Sequence, residues 1–263
     1  MRAMGRAFLA ACIAACVGSP AHAGDVYALL GMAIGSSPEP CTYYQWTGNV
    51  LFHNAGDSDA VIRGLNASNG RPPTGAPVEF VIPPHRTDSL HAGSFFAAPL
   101  FVGKFDVPDR VVVESRIELG TQYCTLNPPP ANPNRGKLSF PVYRSLQPPN
   151  LPKIHLGTDL GLIDARNNVA IYNAGAVTAN AQIEVHRGCD DSLIDSRDVA
   201  IPAYSVVSAN GLAVASGLAP CGTTAPYVTY VTVVVDQPSL SWVSTLANGK
   251  DLSVVYTATS SSP

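Results

Sequence analysis

Asn54-Ala55-Gly56 recurs 119 residues later as Asn173-Ala174-Gly175, and Ile82-Pro83 recurs at the same spacing as Ile201-Pro202. The Val111-Val112-Val113 run falls on Tyr230-Val231-Thr232 in that register, so three landmarks share one offset without a gap. Farther on, Gly136-Lys137 matches Gly249-Lys250 and Val142-Tyr143 matches Val255-Tyr256 at an offset of 113. The first copy therefore has six extra residues. They are expected in Asn127-Pro128-Pro129-Pro130-Ala131-Asn132-Pro133, which is too rich in proline for a central strand and reads as an extended loop. A period near 119 is longer than the roughly 20 to 50 residues of solenoid repeats. It suits two complete sandwich domains, expected at 24–147 and 154–263. Between them Gln147-Pro148-Pro149-Asn150-Leu151-Pro152-Lys153 reads as a stiff proline-rich linker, 148–153.

Within each copy the apolar residues follow strand periodicity. Ala181, Ile183 and Val185 alternate with Gln182, Glu184 and His186, and Val231, Val233 and Val235 alternate with Thr232, Val234 and Asp236 before Pro238 stops the run. The Asn-Ala-Gly triplets are turn signals, because Asn and Gly accept positive φ at little cost. No convincing amphipathic helix is legible, and 22 Gly with 23 Pro among Val-rich runs favour short strands and turns. The expected fold class is all-β, two tandem sandwiches.

Charge narrows the partners. The chain has 16 basic and 19 acidic residues, a net charge of -3, and no Lys/Arg cluster. It lacks the basic stripe that nucleic acid requires, and its mean hydropathy of +0.13 excludes a disordered polyelectrolyte.

Met1 to Ala23 reads as a cleaved signal peptide: Arg2 and Arg6, an apolar Ala7 to Val17, then Pro20-Ala21-His22-Ala23. Ile13-Ala14-Ala15-Cys16 offers a competing lipoprotein site with a lipid on Cys16, ranked second. No later stretch approaches the roughly 20 apolar residues of a membrane helix. The expected location is periplasmic, cell-surface or secreted. Four cysteines follow the signal, and an even count in an exported chain argues for two disulfides. Two precede residue 147 and two follow it, so Cys41 is expected with Cys124 and Cys189 with Cys221. A four-thiolate metal site would need Cys-x-x-Cys spacings that are missing.

The stretch Gln45-Trp46-Thr47-Gly48-Asn49-Val50-Leu51-Phe52-His53-Asn54-Ala55-Gly56, the later Ile-Pro, and Gln237-Pro238-Ser239-Leu240-Ser241-Trp242-Val243-Ser244 with Asn248-Gly249 resemble tandem immunoglobulin-like modules of secreted bacterial proteins. The resemblance implies a pair of sandwiches used as a spacer, a surface module or an appendage to a larger system. The proline-rich insertion and Arg187-Gly188-Cys189-Asp190-Asp191 depart from the pattern, and such loops are where a sandwich gains function.

Catalytic signatures are absent: no Gly-x-Ser-x-Gly, no His-Glu-x-x-His, no phosphate loop and no dinucleotide fingerprint. The expectation is no enzyme, no catalytic residue and no cofactor. His53, His85, His91, His155 and His186 never fall in a metal-ligand spacing and read as surface or strand-edge residues. Asp190, Asp191, Asp195 and Asp198 offer oxygen ligands suited to calcium, against which stands local pairing with Arg187 and Arg197. Tyr43 and Tyr44 are candidate ligand contacts, with Phe95 and Phe96 as further loop aromatics, whereas Trp46 is expected to pack on the Cys41 disulfide in the core.

The functional expectation is a non-catalytic binding or structural module of an envelope or secretion assembly, with another exported protein as partner. The alternatives are a carbohydrate-binding protein, which predicts a polysaccharide partner, and a pilus-assembly type of periplasmic chaperone.

Overall fold

A computed structural model describes residues 23–31, 42–68, 77–95, 101–123, 137–156, 165–213, 229–247, 255–257 and 260–261. Seventeen strands and no helix occur among them. The first half contains β1 (Ala23–Gly31), β2 (Thr42–Asn54), β3 (Ala60–Ser68), β4 (Val78–Ile82), β5 (Thr87–Phe95), β6 (Phe101–Pro108), β7 (Val111–Tyr123) and β8 (Lys137–Phe140). The second contains β9 (Lys153–Leu156), β10 (Ala165–Asn173), β11 (Ala179–Arg187), β12 (Leu193–Ile201), β13 (Val206–Ala213), β14 (Thr229–Val235), β15 (Ser239–Ala247), β16 (Val255–Thr257) and β17 (Ser260–Ser261).

The strands form two pairs of antiparallel sheets. In the first half these are β1-β6-β3-β4 and β5-β2-β7-β8; in the second they are β17-β9-β14-β11-β12 and β13-β10-β15-β16. Each pair encloses one core, because alternate side chains of both sheets point to the same interior. One core gathers Val26, Val50, Phe52, Ile62, Ile82, Phe105 and Val107. The other gathers Val169, Ile171, Ile183, Val185, Val231, Val233 and Val243. The period-two reading of β11 and β14 holds: Ala181, Ile183, Val185, Val231, Val233 and Val235 are buried and their neighbours are not.

The duplication is structural. Asn54 and Asn173 are both fully buried at matching turns. Asn54 Nδ2 donates to the carbonyls of Ser58 (2.8 Å) and Ile82 (3.0 Å), while Gly56 N–H donates to Asn54 Oδ1 (3.0 Å). Asn173 Nδ2 donates to Val177 (2.8 Å) and Ile201 (3.1 Å), and Gly175 N–H to Asn173 Oδ1 (2.8 Å), every partner 119 residues on. The left-handed residues His85 (φ 56°) and Tyr204 (φ 53°) obey the same offset.

The later landmarks do not match as the sequence reading expected. Asn54 stands opposite Val111 and Asn173 opposite Ser239, so β7 corresponds to β15 and the offset there is 128. Val111-Val112-Val113 is therefore not the counterpart of Tyr230-Val231-Thr232, which belongs to β14, the equivalent of β6. Nine additional residues fall in the 214–228 connection of the second half. Arg116 opposite Ser139 and Ser244 opposite Thr257 give an offset of 118 at the end. Val142, beyond β8, is thus not equivalent to Val255 in β16, and the first copy is longer here by ten residues rather than six. Even the closing contact is repeated: Tyr143 pairs with Tyr27 as Ser261 pairs with Ile154.

Packing compensates between the copies. Gly64 lies opposite Phe105, and a Cβ on Gly64 would sit 2.4 Å from the Phe105 ring. At the equivalent pair the second half has Ile183 opposite Val233, redistributing bulk from one strand to the other.

Candidate functional site

The linker is not a free spacer. The Gln147 N–H donates to the Ser239 carbonyl (2.9 Å), the Ser239 N–H donates back (3.2 Å), and the Asn150 N–H donates to the Val235 carbonyl (2.7 Å). Lys153, expected at the end of the linker, opens β9 instead. These contacts hold the connection against the start of β15 and the end of β14.

Aromatic side chains from both halves meet beside it. The Tyr143 and Trp242 ring centroids are 5.3 Å apart, the Tyr143 hydroxyl donates to the Ser241 carbonyl (3.1 Å), and the Trp242 indole N–H donates to the Pro141 carbonyl (2.9 Å). Tyr27 and Tyr172 form a second cross-half pair at 5.8 Å. Trp242, Tyr27 and Tyr172 are all buried, so this surface has left water.

Two basic side chains are buried at this junction, both on β9. Lys153 Nζ lies 3.7 Å from the Tyr143 ring centroid, and burial lowers its pKa to about 8. His155 is fully buried with Nε2 2.8 Å from Ser241 Oγ, and burial, with the Lys153 charge as a lesser cause, lowers its pKa to about 3. This corrects the surface or strand-edge reading of His155. Burial, joined in Tyr27 by the Asp25 carboxylate, pushes the Tyr27 and Tyr172 hydroxyls up to about 12.

The sequence candidates lie elsewhere. Asp190, Asp191, Asp195 and Asp198 do not converge. Asp190 is held by Arg187 Nη1 (3.0 Å) and by Ser192 N–H (3.2 Å) and Oγ (2.7 Å), and the Ser192 hydrogen bonds keep its carboxyl below the usual range. Asp191 accepts the Tyr230 hydroxyl, which pushes that hydroxyl up to about 12, and Tyr230 stacks on His186 at 5.0 Å. Asp195 faces Arg197 at 3.5 Å, and Asp198 lies opposite Gln182. Local pairing thus accounts for Asp190 and Asp195. Among the described residues no group of three or more His, Cys, Asp or Glu side chains is placed to hold a metal ion.

The exposed His53 and His85 bond Thr87 Oγ1 and Asp57, each at 3.0 Å, and His91 stands opposite Asn49 in the β2–β5 ladder. Tyr43 and Tyr44 stand opposite Gln122 and Thr121 on β7; their side chains lie outside the described residues, as does that of Trp46. Phe95 is not a loop residue but ends β5 opposite Trp46, and Phe96 lies outside the described residues. Cys189 occupies the β11–β12 turn and is not a free thiol; Cys41, Cys124 and Cys221 lie outside the described residues.

Sequence reasoning missed Tyr143, Trp242, Lys153 and Tyr172. The signal was available in the difference between copies: where the second half has Trp242 and Tyr172, the first has Glu114 and His53 at equivalent register positions. No described helix is long and apolar enough to cross a membrane. Comparison with protein families, with characterised proteins and with solved structures finds no match for this chain.

Proposed function

We propose that the chain is an exported, non-catalytic module in which two immunoglobulin-like sandwiches, 24–147 and 154–263, present their surfaces at one fixed spacing within an envelope or secreted assembly. The observation that carries this reading is the Tyr143–Trp242 junction with its paired linker, since a spacer with free hinges would neither bring these rings together nor bury Trp242. The immunoglobulin-like part of the reading is supported by the inner pairs β2–β5 and β3–β6, which match the B–E and C–F pairs of that fold. Its edges depart from it, because β7 joins β2 and β1 joins β6, whereas the last strand of an immunoglobulin domain joins F. Export rests on the Met1 to Ala23 signal.

Cross-linking of the tagged protein in its native envelope, followed by mass spectrometry, tests the role. A reproducible partner protein is expected. A chain that stays alone at native abundance would contradict the assembly role.

A further inference from the structure

The outer face of β12-β11-β14 carries a depression of about 570 Å3. Its rim and walls include Asn150, Asn180, Gln182, Asp198, Ala200 and Asp236. The volume lies within the roughly 300 to 1,000 Å3 of small-ligand sites.

The equivalent positions in the first half carry two exposed valines and an ion pair. Val61 stands opposite Val81 there, and Arg63 opposite Glu79 with an ion pair of 2.7 Å. In the second half Asn180 stands opposite Ala200 and Gln182 opposite Asp198. Replacing Val by Ala removes bulk, and replacing Arg by Gln removes the cation, so Asp198 has no salt bridge among the described residues.

Several of the polar groups are positioned before any ligand arrives. Asp236 Oδ1 accepts the Asn180 backbone N–H at 2.8 Å and Oδ2 accepts the Asn180 amide at 2.9 Å. Gln182 Nε2 donates to Glu184 Oε1 at 2.9 Å, leaving its carbonyl oxygen and one N–H uncommitted. Asn150, at φ 60°, is tied to Val235 through its backbone N–H.

Three amides and two carboxylates make a mixed set of donors and acceptors. A bare cation uses acceptors only, and an ammonium group offers donors only, so either would leave the uncommitted Gln182 N–H without a partner in the ligand. A sugar hydroxyl donates and accepts at once, and a carboxylate can receive two neighbouring hydroxyls. We propose that this depression binds one residue of a neutral saccharide. The inference is independent of the assembly role, and its failure leaves the junction and the partner experiment untouched.

The test is saturation-transfer NMR on the full chain with the methyl glycosides of glucose, galactose and N-acetylglucosamine, titrated to millimolar concentration. Saturable binding of at least one is expected, with a Kd on the order of 1 mM. Asp198→Ala and Ala200→Val, both at exposed positions, each weaken it tenfold or more. Glu79→Ala, the equivalent of the Asp198 substitution in the first half, leaves it unchanged. The absence of saturable binding with all three glycosides would overturn the proposal. So would equal affinity in Asp198→Ala, or a loss produced by Tyr43→Ala with Tyr44→Ala, which would place the sugar on the first half.

Discussion

Asn54 and Asn173 sit at the same turn of two copies, and each donates across its turn and to the end of the fourth strand of its copy. The bonds to the Ile82 and Ile201 carbonyls are buried, so no water replaces them. Asn54→Ala or Asn173→Ala is expected to cost about 1 to 3 kcal/mol, the penalty of an unsatisfied buried polar group, with similar losses in the two halves. Thermal unfolding of the two variants checks both the size and the symmetry; a change below a few tenths of a kcal/mol in either would show that its hydrogen bonds are replaced.

Gly64 and Phe105 against Ile183 and Val233 are two ways to fill one place. Gly64→Ile alone should destabilise by about 3 kcal/mol, the upper end of the usual cost of overpacking, because the Cβ meets the Phe105 ring and overpacked cores relax poorly. Adding Phe105→Val should recover a large part of that loss. A double-mutant cycle in urea reads the coupling, and simple additivity of the two changes would refute the compensation.

Burial of His155 and Lys153 gives stability two pH windows. The folded state holds His155 neutral down to about pH 3, whereas an unfolded histidine takes its proton near 6.5. The unfolded chain binds the extra proton between those values, so stability is complete above about pH 6.5 and is lost as pH falls toward 3. Lys153 acts in the same direction at alkaline pH: the folded protein sheds its proton near 8 and the unfolded chain near 10.5, so this contribution rises with pH across that interval. Urea unfolding of wild type and Lys153→Met at pH 7 and pH 10 isolates the second window. The variant should lose the alkaline rise, and an equal rise in both proteins would rule Lys153 out as its source.

The register also bears on the cysteines. The β2–β7 ladder is described as far as Thr42 opposite Tyr123, the residues next to Cys41 and Cys124 in the sequence. Peptide mapping without reduction should recover Cys41 with Cys124 and Cys189 with Cys221, and removal of either bridge should cost about 2 to 5 kcal/mol. Recovery of a link between the halves would refute this pairing.

The strand content and the inward faces of β11 and β14 were legible because they depend on local periodicity. The Asn-Ala-Gly turns were legible too, but for another reason than the positive φ expected of them: neither the Asn nor the Gly of either triplet has positive φ, and the Asn side-chain hydrogen bonds hold both turns. The later register was not legible. Alternating Val and Thr residues match one another at any even shift, so Val111-Val112-Val113 found a false partner in β14. Its true counterpart, Ser239-Leu240-Ser241, looks polar, yet the hydroxyl of Ser241 meets buried His155. The junction was hidden for a related reason: Tyr143 and Trp242 lie about a hundred residues apart, and only the folded linker brings them together.

We infer that the Tyr143–Trp242 junction holds the two halves in one orientation. Pulsed electron spin resonance between labels at the exposed positions Asp88 and Ser196, one in each half, measures this directly. The wild-type protein should give a single narrow distance distribution that broadens when Tyr143→Ala is combined with Trp242→Ala. A broad distribution in the wild-type protein would contradict the claim.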